Sequence, residues 1–235
     1  MRIIILLAII LLAILHFTAC SETDEMTEPA DAGDVVDFDS DILDEVDSLL
    51  PEPEPEPCGY PQDTGSLFYG ETFPELSWLE AYGPYGNEVT IHFSDQLCGV
   101  SEENNIPHYD SIILAIGTGW CPYCPDYMRH IDSLAEELEE NNAMIIYAEL
   151  QTEYMASATS TWAHTYINSL GIETGYRVGD ADSWPFVNFL SNTGDIVSYP
   201  TSFIIRTRDM RIVAAQRDSA YYLDFRSITA GMSED

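Results

Sequence analysis

The chain has 235 residues, with 41 acids against 8 bases and a formal net charge of −33. All eight bases are Arg, which excludes a Schiff-base lysine and a P-loop lysine. Nucleic acid and anionic lipid require a basic surface that this composition does not supply.

Met1-Arg2 is a short positive start, and Ile3 to Leu15 is an unbroken apolar run of thirteen residues. That suits the apolar region of a secretory signal and falls short of the ~20 residues of a membrane span. Thr18-Ala19-Cys20 follows. Small residues directly before a Cys resemble the bacterial lipoprotein signal, in which that Cys becomes the lipidated first residue. Residues 1–20 are therefore read as a signal peptide with a lipidation site at Cys20. An uncleaved anchor and ordinary cleavage near Ala19 are the alternatives. The expected location is the cell envelope, lipid-anchored and facing the periplasm. Ser21 after the Cys favours the outer membrane.

Residues 21–57 hold fifteen acids and no base. Such a stretch repels itself and stays extended, and the Pro-Glu alternation of Pro51 to Pro57 stiffens it. This is read as a disordered acidic linker. A folded domain is expected over residues 58–235.

Phe68-Tyr69-Gly70, Phe73 to Trp78 and Val89 to Phe93 read as short strands and turns, with turn chemistry at Gly83, Pro84, Gly86 and Asn87. Asp110 to Ile116 is a continuous apolar strand of the kind buried in a sheet centre. Cys121 to Asn142 reads as one helix. Met128, Ile131, Leu134, Ala135 and Leu138 give it an apolar face, and Pro122 suits its first position. Ala143 to Leu150 is the next strand, and Thr159 to Leu170 a helix stopped by Gly171. Arg177 to Asp180 is a short strand and Ser183 to Leu190 a helical turn. Phe203 to Arg206 and Arg211 to Ala215 form a hairpin, and Tyr222 to Ala230 is the last helix. This order predicts an α/β sandwich around one sheet.

The chemistry gathers at Gly117 to Met128, GTGWCPYCPDYM. A strand that delivers Cys121 and Cys124, two residues apart, to a helix start is a redox arrangement. Unpaired N–H groups and the positive end of the helix dipole stabilise a thiolate there. The thiolate attacks in disulfide exchange, and Cys124 is spaced to close a ring with Cys121. A structural disulfide and half a zinc site are the competing readings. Zinc takes four ligands, and no second Cys-x-x-Cys or paired His spacing is present, so no metal and no cofactor is expected. Cys58 and Cys98 are the leftover pair, read as a structural disulfide. A free thiol and an accessory redox couple are the alternatives.

With Trp120-Cys121-Pro122-Tyr123-Cys124 behind a buried strand and Tyr199-Pro200-Thr201 before a hairpin, the sequence resembles the thioredoxin superfamily. Residues 73–110 look like the extension of its extracytoplasmic redoxins, the TlpA and peroxiredoxin-like branch. The resemblance implies a thioredoxin-like three-layer sandwich, a central mixed sheet flanked by helices, with an N-terminal strand extension. It implies an exposed nucleophile at Cys121, a buried resolving thiol at Cys124 and a cis proline at Pro200. The substrate groove would be formed by Trp120, Pro122, Tyr123, Tyr199, Pro200 and Thr201. The family's buried Asp, six residues before the first Cys, is replaced by Ala115. Asp126 and Glu149 are the nearest candidates for a proton-handling carboxylate.

The expected function is that of a membrane-tethered thiol–disulfide oxidoreductase working through a mixed disulfide. Its partners would be protein thiols and disulfides and a redox partner, with no nucleic acid. A binding module without turnover is one alternative. A thiol peroxidase is another, since Thr118 stands three residues before Cys121 as it does in peroxiredoxins.

Overall fold

The apolar run before the cysteines becomes the core strand of a sheet. In the computed structural model, β3 (Ser111–Gly117) is buried at all seven positions. The structure describes residues 58–62, 65–99, 106–180, 198–216 and 222–232. The chain divides into units Met1–Glu54 and Pro55–Asp235, and the described residues belong to the second. Cys20, the acidic linker and the turn read over residues 183–190 lie outside them.

Ahead of β3 come β1 (Ser77–Tyr82), β2 (Glu88–His92) and α1 (Phe93–Cys98). After it come α2 (Cys124–Asp132), α3 (Ala135–Glu140), β4 (Ala143–Glu149), α4 (Ser160–Ser169) and β5 (Tyr176–Gly179). The hairpin β6 (Thr201–Arg206) and β7 (Arg211–Gln216) precedes α5 (Phe225–Ala230). The described strands form one mixed sheet in the order β2-β1-β5-β4-β3-β6-β7. β4 runs parallel to β3 and β6 antiparallel, so the strand that leads into the cysteines is held on both sides.

Alternation along each strand sends side chains to two cores. Ile112, Leu114 and Ile116 face one side, where Leu67, Phe73, Leu76 and Phe93 cover the sheet. Ile113 and Ala115 face the other, against Tyr127, Met128 and Ile131 of α2, Ile167 of α4 and Phe225 of α5. Burying each such large apolar side chain stabilises by roughly 1.5–3 kcal/mol. The N-terminal extension is therefore structural. Its Phe73 packs edge-on against Phe203 with ring centroids 5.3 Å apart.

Several elements differ from the sequence expectation. β1 runs over Ser77–Tyr82, four residues on from the stretch read over Phe73 to Trp78, and α5 starts at Phe225, three residues after Tyr222. Phe93 opens a helix instead of closing a strand, and Gly99 at φ 67° caps that helix with an N–H to the Asp95 carbonyl. The helix expected over residues 121–142 is two helices and begins three residues later. Pro125 has no N–H to give the Cys121 carbonyl, so the Tyr127 N–H to the Tyr123 carbonyl, at 3.2 Å, opens the helical ladder. The break between α2 and α3 falls at Ser133, whose hydroxyl donates back to the His130 carbonyl at 2.7 Å. Such back-bonding bends helices.

Arg177 is a buried cation that fastens the far side of the sheet. Its guanidinium donates to the carbonyls of Gly83, Gly175 and Ile172 at 2.9, 2.7 and 3.2 Å. Burial pushes its pKa below the usual arginine value.

Candidate active site

β3 ends at Gly117, residues 118–123 form a loop, and α2 starts at Cys124. Cys121 and Cys124 are joined in a disulfide, with Cα atoms 5.5 Å apart. Cys121 is 4% exposed and Cys124 0%. The order of accessibility is the expected one, but in this oxidised state Cys121 is not open to solvent. It also lies before the helix, in a turn closed by its own N–H to the Thr118 carbonyl at 3.0 Å. Cys124 takes the first helical position, where the unpaired N–H groups and the helix dipole act.

The loop is fastened to the chain just past β4. The Gly119 N–H donates to the Gln151 carbonyl at 2.7 Å, and the Trp120 indole N–H donates to Gln151 Oε1 at 2.8 Å. A side chain at Gly119 would begin 2.7 Å from both the Glu153 nitrogen and Trp162 Cη2, so glycine is required by this close approach. Trp120 meets Tyr199 edge-on at 5.8 Å. The Tyr199–Pro200 peptide is cis, and Thr201 pairs with Ile116 beside the end of β3. The Thr201 hydroxyl donates to the Ser198 carbonyl. Trp120 and Tyr199–Thr201 thus stand together, while Pro122 and Tyr123 form an exposed shoulder before α2, Tyr123 being 64% exposed.

Below the disulfide lies an acid. Glu149, the last residue of β4, is 0% exposed, and neither carboxyl oxygen has a hydrogen-bond partner. Its register partner is Gly117. A side chain at Gly117 would begin 2.9 Å from Glu149 Oε1 and 3.4 Å from Cys124 Cβ, so both groups converge on the glycine's bare face. Burial without a compensating charge holds the Glu149 carboxyl well above the usual carboxylate range. The other candidate, Asp126, lies at the surface. Its side chain is 79% exposed and ion-paired with Arg129 at 2.9 Å.

Sequence reading missed Gln151, whose tie to the loop has no motif, and a buried trio that joins α2 to the sheet. There Tyr127 Oη lies 2.6 Å from Ser202 Oγ and donates to Gln216 Oε1 at 3.1 Å. Cys58 and Cys98 are disulfide-bonded, with Cα atoms 5.7 Å apart. His130 stacks on Tyr222 at 4.5 Å and His164 on Tyr82 at 4.4 Å. Among the described residues no cluster of three His, Cys, Asp or Glu is placed to hold a metal ion.

No protein-family model and no curated protein matches the sequence. Solved structures do. The reduced 2-Cys peroxiredoxin of Plasmodium vivax is 12% identical with a TM-score of 0.51, over 72% of this chain and 84% of that one. A thiol:disulfide interchange protein DsbE from Chlorobium tepidum is 17% identical with a TM-score of 0.43, over 64% and 85%. The thioredoxin domain of a thiol-disulfide oxidoreductase from Bacteroides vulgatus is 14% identical with a TM-score of 0.45, over 72% and 97%. At such identities the likeness is one of fold. It rests on the peroxiredoxin, and with the observed sheet it makes the architecture thioredoxin-like α/β.

Proposed function

We propose that this chain is a thiol–disulfide oxidoreductase of the cell envelope, with Cys121 as nucleophile and Cys124 as resolving thiol. The observation that carries the reading is the Cys121–Cys124 disulfide at a strand–helix junction, set over the unpaired acid of Glu149. An incoming thiolate attacks Cys121 Sγ and expels Cys124 as a thiolate. Glu149, held protonated by burial, supplies the proton that makes Cys124 a neutral thiol. The partner's second thiolate then attacks its own sulfur in the mixed disulfide and expels Cys121, which releases the oxidised partner and leaves Cys121 and Cys124 reduced. Run in reverse, Glu149 takes the Cys124 proton, and the resulting thiolate closes the ring on Cys121 and frees a substrate thiol. Trp120, Pro122, Tyr123 and Tyr199 line the approach, with Pro200 and Thr201 buried behind them. Cys20 carries the lipid, and residues 21–57 hold the domain away from the membrane. Reduction of insulin disulfides by the full-length protein with a small dithiol donor tests the chemistry. Turnover absent from wild type and from both single Cys variants alike sinks it.

A thiol peroxidase is the second reading, favoured by Thr118. Its hydroxyl is buried at the start of the loop and has no hydrogen-bond partner. The Cys121 thiolate would attack a peroxide oxygen, break the O–O bond and expel the alcohol or water to form a sulfenic acid, and Cys124 would condense with it, releasing water. Peroxide consumption by the reduced protein separates the two readings.

A further inference from the structure

One surface feature lies beside the active-site loop at Gly119 and has no part in the chemistry above. Trp162 and Tyr166 stand four residues apart on α4, and so on one face of it. Their rings stack at 4.8 Å with an interplanar angle of 14°. Together with Glu153, Thr165 and Ser169 they line an open trough of about 420 Å³. Glu153 is the charged residue in that lining, and among the described residues it forms no ion pair.

We propose that this trough takes a basic side chain, arginine or lysine, of the substrate protein. The inference rests on the oxidoreductase reading and names the substrate class. Stacked aromatic faces carry negative potential and attract a cation placed over them. A guanidinium fits such a face by its plane, and its fork reaches a carboxylate beside it. The nearby base, Arg129, does not compete. Its guanidinium donates to Asp126 at 2.9 Å and to the Leu170 carbonyl at 3.0 Å.

Position makes the trough part of the substrate path. Trp162 Cη2 and the Glu153 nitrogen both close on the bare face of Gly119, two residues before Cys121. Two residues of chain span on the order of 7 Å. An extended peptide with its cysteine at Cys121 therefore reaches the trough with a side chain two or three positions away. The acid excess of the whole chain, 41 against 8, favours basic partners over acidic ones.

The test uses the full-length protein and three peptides. Each carries one cysteine in disulfide linkage to a small thiol, with Arg, norleucine or Glu two residues away. The Arg peptide should have a kcat/KM about tenfold above the norleucine peptide, with the Glu peptide lowest. Glu153→Gln should collapse the ratio toward one, and Glu153→Arg should invert it. Equal kcat/KM for all three peptides overturns the proposal while leaving the oxidoreductase reading intact. If no peptide turns over, that reading fails, and the trough is judged by binding alone. Versions with Ser in place of Cys cannot react. Tighter binding of the Arg version to wild type, lost in Glu153→Gln, sustains the trough. Equal binding of the three overturns it.

Discussion

Glu149 and Gly117 are register partners in adjacent parallel strands, and the carboxyl of the one fills the space a side chain of the other would need. Gly117→Ala would meet Met128 Cε at 2.6 Å and Glu149 Oε1 at 2.9 Å. The methionine tip can swing aside, but the carboxyl is walled in. The expected cost is about 1–3 kcal/mol of stability, as for other overpacked cores. Urea denaturation of the oxidised variant measures it, and an unchanged midpoint contradicts the packing described.

Glu149→Gln should change how stability depends on pH. The folded-state pKa of Glu149 is raised by burial. Below its unfolded value of about 4.3, both states hold the proton and nothing is lost. Above it, the unfolded chain releases the proton while the folded chain keeps it. Stability then falls by about 1.4 kcal/mol per pH unit until the folded pKa is passed. The Gln variant lacks this slope and should be the more stable at neutral pH and above. It should also lose roughly a hundredfold in exchange rate, the scale of general acid–base catalysis. Melting curves and exchange rates across the pH range, on wild type and variant, check both effects.

The two active-site cysteines should be unequal. Cys124 is fully buried at the start of α2, and Cys121 is the more accessible sulfur. Cys124→Ser leaves a nucleophile with no resolving partner, so mixed disulfides with substrates should accumulate. Cys121→Ser should trap little and abolish exchange. Mass spectrometry after incubation with a periplasmic extract reads the outcome, and the opposite pattern reverses the assignment.

Cys98→Ser should destabilise the domain without stopping its chemistry. The Cys58–Cys98 bond spans 40 residues and closes the N-terminal extension onto the end of α1. Chain entropy sets an upper loss of roughly 4 kcal/mol. Denaturant midpoints of the oxidised proteins measure it, with exchange activity as the control.

The central strands were legible because their apolar runs are continuous, whereas β1, a half-exposed strand, was read four residues too early. The strands read over Asp110 to Ile116 and Ala143 to Leu150 and the β6–β7 hairpin appear in the structure within a residue or two of those bounds. The helix after the cysteines was misread, because its apolar periodicity runs through Ser133 and hides the bend. The periodicity also says nothing of the bond that Pro125 cannot make. At the site, the cysteine pair and Pro200 stood out by motif. The choice between Asp126 and Glu149 did not, because it turns on which strand lies beside β3 and which way its last side chain points. The trough at Glu153, Trp162 and Tyr166 joins a loop to a helix across Gly119. That is a relation of space with no periodicity to betray it.

Strand β3 receives its two neighbours at very different times. β4 follows soon after it, whereas β6 pairs Ser111 with Arg206 and Ile116 with Thr201 from the far end of the chain. Closing that long loop is the slow, non-local part of assembly. A chain emerging N-terminus first therefore exposes Cys58, Cys98, Cys121 and Cys124 while the strand that will flank the active-site loop has yet to appear. Four thiols admit three complete pairings. The short spacing of Cys121 and Cys124 gives that pair the smallest loop to close, so the native arrangement has a head start over its two rivals.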